Sequence, residues 1–255
     1  MSVADDTILS TRGLCKEFKG FVAVNDVSLD IARGSIHALI GPNGAGKTTC
    51  FNLLTKFLEP SAGSIHFKGQ DITALRPADV ARLGIVRSFQ ISAVFPNLSV
   101  LENVRVALQR TRGGNFDFWR SAKVLNQLDQ RACDLIESVG LSGTESIAAI
   151  ELPYGRKRAL EIATTLALDP ELLLLDEPMA GMGNEDIVRI SALIRRVASN
   201  RTVLMVEHNL SVVASLSDRI TVLAQGEVLA EGDYATVSKN PRVIEAYIGE
   251  EHVGA

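Results

Sequence analysis

The stretch Gly41-Pro42-Asn43-Gly44-Ala45-Gly46-Lys47-Thr48-Thr49 leaves this chain few choices of fold. Glycines at 41, 44 and 46 let the backbone curl until successive N–H groups point inward at one anion. That curl is informative only between a strand and a helix. The flanks supply both, since Ser35-Ile36-His37-Ala38-Leu39-Ile40 reads as a strand and Thr48 to Leu58 as a helix. The helix adds the positive end of its dipole. Lys47 is placed to reach the β- and γ-phosphates of a nucleotide, and the Thr48 hydroxyl to ligate Mg2+. A glycine-rich turn ahead of a core helix is the plainer alternative, so further parts must decide.

Two further strand ends carry chemistry. Leu172-Leu173-Leu174-Leu175, bounded by Pro170 and Pro178, suits a central parallel strand buried on both faces. It ends in Asp176 and Glu177. Beside the phosphate loop, Asp176 can hold Mg2+ directly or through water, and Glu177 can polarise an attacking water. Solvation of a strand end by two carboxylates is the alternative. Val203-Leu204-Met205-Val206 ends in Glu207-His208. A lone histidine is more often structural or merely exposed, but this one closes a strand at the edge where open α/β sheets bind ligands.

The order of these parts resembles the ATP-binding cassette of ABC transporters. The phosphate loop is followed by Gln90, then Leu152-Pro153-Tyr154-Gly155-Arg156, then Asp176-Glu177, then His208, at separations that fit one cassette over nearly the whole chain. The resemblance implies an α/β fold of P-loop NTPase type: a RecA-like parallel-sheet core, an antiparallel β layer and a helical subdomain. The expected division is one domain over 1–255, with core at 1–90 and 166–255 and helical lobe at 91–165. It also implies ATP and Mg2+ as ligands. Phe18 falls where cassettes stack an aromatic ring on adenine, with a core position in an N-terminal strand as the alternative. Gln90 matches the loop glutamine that senses Mg2+ and the γ-phosphate, so it joins Thr48 and Asp176 at the metal and Glu177 and His208 in catalysis. Met179-Ala180-Gly181-Met182 matches the loop that crosses to a partner cassette. Tyr154, Gly155 and Arg156 belong to the signature that caps the partner's nucleotide.

That signature departs from the common Leu-Ser-Gly-Gly-Gln form. A Tyr-Gly pair is typical of the amino-acid-importer branch. Pro153 offers neither hydroxyl nor N–H, although it is tolerated at a helix start. Arg156 can supply positive charge to the partner's phosphate instead; equally, Arg156, Lys157 and Arg158 read as a solvated basic run. The opening Phe21-Val22-Ala23-Val24-Asn25-Asp26-Val27-Ser28, Gly181, and the tail Asn240-Pro241-Arg242-Val243-Ile244-Glu245-Ala246-Tyr247-Ile248-Gly249 resemble the G-type cassette of branched-chain amino-acid importers. Implied partners are a second cassette (of the same or another chain), two transmembrane permease subunits and, indirectly, a periplasmic or extracellular solute-binding protein. Cargo implied by the resemblance is a branched-chain or other neutral amino acid, or a related small amide or acid. A peripheral position on the cytoplasmic face of the membrane follows.

Bulk properties agree. At 255 residues the chain suits one α/β domain with a smaller lobe. A net charge of −4 and a pI near 5.6 lack a nucleic-acid footprint. Cys15, Cys50 and Cys133 have no metal-ligand spacing. No apolar run reaches the roughly 18 residues of a membrane span, and residues 1–6 lack the basic and apolar regions of a signal peptide. The absence of an Asn-Lys-x-Asp guanine motif disfavours a GTPase. A soluble cassette ATPase of the iron–sulfur-assembly kind is the alternative, against which the tail and the Tyr154-Gly155 pair weigh.

For the remainder, residues 1–34 and 62–72 suggest the antiparallel layer, and 35–90 with 166–224 the parallel core. Ser99-Val100-Leu101-Glu102 is a capping box opening a helix that Gly113-Gly114 breaks. Val124, Leu125, Leu128, Ala132, Leu135, Ile136 and Val139 share one helical face, stopped by Gly140. Ile91 to Asn97 resemble part of the groove that grips a permease helix. Phe116, Phe118 and Trp119 fit helical packing better than partner contact. A hairpin over Ile220 to Glu231 turns at Gln225-Gly226.

Overall fold

The computed structural model describes residues 6–88, 94–109 and 128–251. The chain opens with strands β1 (Thr7–Phe18) and β2 (Phe21–Ala32), paired antiparallel. Lys19 and Gly20 between them both have positive φ, 48° and 93°, which matches the twist of a two-residue hairpin turn. Strand β4 (Ala62–Phe67) pairs with the other side of β1, and β5 (Gln70–Asp71) closes a sheet of order β2-β1-β4-β5. This is the antiparallel layer expected from residues 1–34 and 62–72.

A second sheet runs in the order β10-β9-β3-β8-β7-β6. Its strands are β3 (Ile36–Ile40), β6 (Ile85–Ser88), β7 (Leu172–Asp176), β8 (Thr202–Val206), β9 (Arg219–Ala224) and β10 (Glu227–Gly232). All pair parallel except β10, the return strand of the β9–β10 hairpin. The hairpin turns at Gln225 and Gly226, both at positive φ. The leucine run of β7 is buried on both faces: Leu173 and Leu175 pack with the helical side, Leu172 and Leu174 with the antiparallel layer. Parallel strands require crossovers, so β3, β8, β7 and β6 all end at the same edge.

The crossover helices are α1 (Lys47–Leu54), α2 (Pro77–Arg82), α3 (Val100–Gln109), α4 (Asp129–Ser138), α5 (Tyr154–Leu166), α6 (Asn184–Ala198), α7 (Leu210–Leu216), α8 (Tyr234–Val237) and α9 (Pro241–Glu251). Helix α1 stops at Leu54, not at the expected Leu58. The Thr55 hydroxyl bonds back to the Phe51 carbonyl at 2.8 Å, and Lys56 turns left-handed at φ 62°. Phe57 is left exposed and Leu58 folds back onto the core.

Ser99 and Glu102 form the expected capping box at α3: Ser99 N–H donates to Glu102 Oε2 at 2.7 Å, and Glu102 N–H to Ser99 Oγ at 3.2 Å. Buried Asn103 donates to the carbonyls of Phe95, Leu98 and Ser99 and accepts from Phe95 N–H, fixing the entry to this helix. Ala132, Ile136 and Val139 lie on the buried side of α4, which ends ahead of Gly140 at φ 76°. Gly113, Gly114, Phe116, Phe118, Trp119, Val124 and Leu125 lie outside the described residues.

His37 sits wholly buried in β3, its Nε2 2.8 Å from Thr221 Oγ1. Burial, aided by the Arg219 charge, lowers its pKa from 6.5 to about 4. The unfolded chain therefore binds the extra proton first as pH falls. Stability is intact above about 6.5 and is lost as pH drops through 4, by about 3 kcal/mol at pH 4. Burial raises the Glu161 and Glu207 carboxyls, which act in the opposite direction but equally in a variant. Urea midpoints should thus fall more steeply between pH 7 and pH 4.5 in the parent than in H37Q; parallel profiles would contradict this.

Candidate functional site

The loop after β3 is held from beneath. A Cβ at Gly41 (φ 149°) would stand 2.0 Å from the Leu223 carbonyl oxygen, and one at Gly46 (φ 96°) 2.5 Å from that of Ala23. Gly226 N–H donates to the Ala45 carbonyl at 3.1 Å, and Asn25 N–H to Gly226 at 2.8 Å. The β9–β10 turn and β2 thereby brace the loop. Gly46 caps α1 without a side-chain bond, and the positive end of that helix faces the loop. Asn43, Gly44 and Thr48 are exposed, Pro42, Lys47 and Thr49 half-buried, and Ala45 buried. Lys47 Nζ donates to the carbonyls of Gly41 and Pro42 at 2.6 and 2.7 Å, which lays its charge across the loop. A glycine cradle with an ammonium drawn over it fits a polyphosphate.

Phe18 stands at the end of β1, 40% exposed, with Lys16 Nζ 5.2 Å from its ring centroid. It is not a core residue.

At the neighbouring strand ends, Asp176 is buried and its Oδ2 accepts from Arg87 Nη2, while Arg158 Nη2 donates to its main-chain oxygen at 3.0 Å. Glu177 adopts φ 42°, held by its N–H to the Val206 carbonyl at 2.9 Å. Strain at a non-glycine residue of this kind is often tied to function. Glu177 Oε1 lies 4.0 Å from His208 Nδ1, with the histidine largely exposed. Glu207, fully buried, accepts from the N–H groups of Met179 (3.0 Å) and His208 (3.2 Å). Burial raises its pKa against the pull of those bonds. It therefore ties the loop after Glu177 to the loop that bears His208. Gln90 lies outside the described residues.

Pro153 precedes α5 and leaves it without a side-chain cap. Tyr154 Oη donates to the Ala180 carbonyl at 3.1 Å, joining the helix start to the loop after Glu177. Gly155 packs against Asp186, whose carboxyl would have to move for an added Cβ, which would meet it at 2.4 Å. The three basic residues that follow part company. Arg156 is exposed, but Arg158 is buried and bonds Glu161 at 2.6 Å, so a uniformly solvated run is not what forms. Val94 is buried, and Phe95 lines a groove of about 520 Å³ together with Phe57, Val106 and Ala107. Ile91, Ser92 and Ala93 lie outside the described residues.

A family model described as ABC transporter matches residues 24–180, and one described as branched-chain amino acid ATP-binding cassette transporter matches residues 227–253. The chain belongs to the ABC transporter family. The high-affinity branched-chain amino acid transport ATP-binding protein LivG of Escherichia coli (strain K12) is 39% identical over 250 residues, 95% of this chain and 98% of that one. BraF of Pseudomonas aeruginosa, which carries the same description, is 40% identical over 253 residues with the same coverage. A solved ABC-transporter cassette in its ADP conformation superposes with a TM-score of 0.84 at 30% identity, covering 95% of this chain and 99% of the other. A nucleotide-free cassette gives 0.83, also at 30% identity and with the same coverage. This ABC subunit thus has a nucleotide-binding fold and is an ATPase whose hydrolysis is coupled to transport. The soluble iron–sulfur-assembly alternative is not favoured. Among the described residues no helix is long and apolar enough to cross a membrane.

Sequence reasoning missed Arg87, Asn103, Arg158 with Glu161, Asp186 and Glu207. One signal was available: a charged residue inside the buried strand Ile85-Val86-Arg87-Ser88 needs a partner.

Proposed function

We propose that the chain is one of two ATP-binding cassettes of an importer for branched-chain or other neutral amino acids, or related small amides and acids. Support for the chemistry is the approach of Glu177 to His208, at the sheet edge that carries the Gly41–Thr49 loop. Support for the cargo is resemblance of the C-terminal residues 227–253 to the branched-chain family.

Phe18 stacks on the adenine, and the backbone of Gly41, Pro42, Asn43, Gly44, Ala45 and Gly46 with the Lys47 ammonium binds the phosphates. Thr48 and Thr49 open the helix beneath them. Thr48, Asp176 and Gln90 are the residues that would hold Mg2+. When bound, the ion would supply charge neutralisation to the nucleotide phosphates. Glu177 orients and polarises the attacking water, and His208 stabilises charge on the γ-phosphoryl group. Tyr154, Gly155 and Arg156 close over the nucleotide of the partner cassette, with exposed Arg156 in place of the usual polar signature residues. The helical lobe (91–165) moves against the core (1–90 and 166–255), and the groove lined by Phe95 receives a helix of a permease subunit. Closure drives the two permeases between inward- and outward-facing states on the cytoplasmic side of the membrane. An outer solute-binding protein delivers cargo, and nucleic acid has no part.

Affinity capture of the tagged chain from detergent-solubilised native membranes tests this reading. Two hydrophobic permeases and a second cassette are the expected companions. Recovery of soluble partners alone would overturn the transport assignment for this cargo class.

A further inference from the structure

Asp176, assigned above to the metal, already has a cation beside it. The Arg87 guanidinium bonds Asp176 Oδ2 through Nη2 and Asn52 Oδ1 through Nη1, the latter at 2.5 Å, and it lies 5.8 Å from the centroid of the Phe51 ring. Side-chain exposures are 10% for Arg87 and 5% for Asp176. Asn52 is one turn beyond Thr48 on α1, so both side chains share a helix face. Arg87 thus meets α1 one turn beyond the residue whose hydroxyl is assigned to the metal. It also sits on β6, three positions before Gln90 in the sequence.

We propose that Arg87 is the resident counter-ion of Asp176, and that it competes with a divalent cation for that carboxylate, so that metal enters with nucleotide and not ahead of it. A buried carboxylate that loses the guanidinium paired to it is left poorly compensated at high cost. It recovers that cost by recruiting another cation. A guanidinium this close also repels an incoming metal. Nucleotide phosphates add the negative charge that lets the ion displace the arginine. Displacement releases the Arg87 side chain from Asn52 on α1 and Asp176 on β7, while the β6–β7 main-chain ladder stays in place. The inference rests on the assignment of Asp176 to the metal.

Mn2+ binding without nucleotide, followed by electron paramagnetic resonance at pH 8, tests it on the parent, R87M, D176N and the double variant. R87M should bind Mn2+ about ten-fold more tightly than the parent, and the gain should vanish in the D176N background. A folded R87M with unchanged or weaker Mn2+ binding would overturn the proposal, as would a gain that survives D176N. Should R87M fail to fold, guanidinium 15N resonances of the parent, assigned with R87K, give the answer. The Arg87 signal should move with MgATP and stay in place with ATP in EDTA; an equal response to both would overturn the proposal. ATP affinity of D176N with and without Mg2+ separates the two levels. If Mg2+ still tightens ATP binding in D176N as in the parent, the metal assignment falls and takes the proposal with it. If that tightening is lost while R87M shows no gain, only the role of Arg87 falls.

Discussion

Glu177→Gln should lower ATP turnover by about 10²–10⁴-fold while MgATP stays bound. The amide keeps the size of the carboxylate, and the backbone bond from residue 177 to the Val206 carbonyl does not depend on the side chain. The fold and the φ of 42° should therefore persist. What is lost is the anionic oxygen proposed to polarise water, which lies 4.0 Å from His208. With hydrolysis blocked and binding intact, the two cassettes should remain closed on the nucleotide, seen as ATP retained through gel filtration. Arg156→Ala in the same background should shorten that retention if the exposed guanidinium completes the partner's site. Undiminished turnover in the glutamine variant would mean that another group polarises the water.

Gly41→Ala should be the most damaging single-methyl change in the phosphate loop. The new Cβ would stand 2.0 Å from the Leu223 carbonyl oxygen, which belongs to the buried strand β9 and cannot swing away as a side-chain end would. The left-handed φ of 149° adds backbone strain. Together these cost about 3 kcal/mol, or roughly 6–12 °C in Tm for a chain of this size. Misdirected N–H groups should also weaken ATP binding by about ten-fold or more, given about 1 kcal/mol or more for each charge-assisted bond. Gly44→Ala offers the contrast, because nothing lies within 4 Å of its would-be Cβ and only the φ of 74° opposes it. Calorimetry and nucleotide titration of the two variants should rank Gly41 well above Gly44. Equal Tm values would mean that the loop is not braced by β9.

What was legible in the sequence was local. The phosphate loop, the capping box at Ser99 and Glu102, the two-residue turn at Gln225-Gly226 and the doubly buried leucine strand each announce themselves within a few residues, through spacing or backbone demands. The end of α1 was misread because Phe57-Leu58 continues the apolar pattern. A back-bonding Thr55 and a left-handed Lys56 end the helix first. Partnerships across the chain were not legible. Arg87 meets Asp176 from 89 residues away, and Glu207 meets Met179 from 28. A buried charge announces that a partner is needed, but not which one. The same limit applied to Arg158, which looked like one of three surface cations until Glu161 and the Asp176 carbonyl were seen to enclose it.

The most direct measurement is uptake by the complete complex, reconstituted in vesicles with its solute-binding protein and with ATP supplied on the side of this chain. Labelled branched-chain amino acid should accumulate only with hydrolysable ATP and Mg2+, hydrolysis should rise when loaded binding protein is added, and both should be lost in Glu177→Gln. Steady hydrolysis by the parent complex, with no uptake of that class of solute and no response to the binding protein, would contradict the assignment.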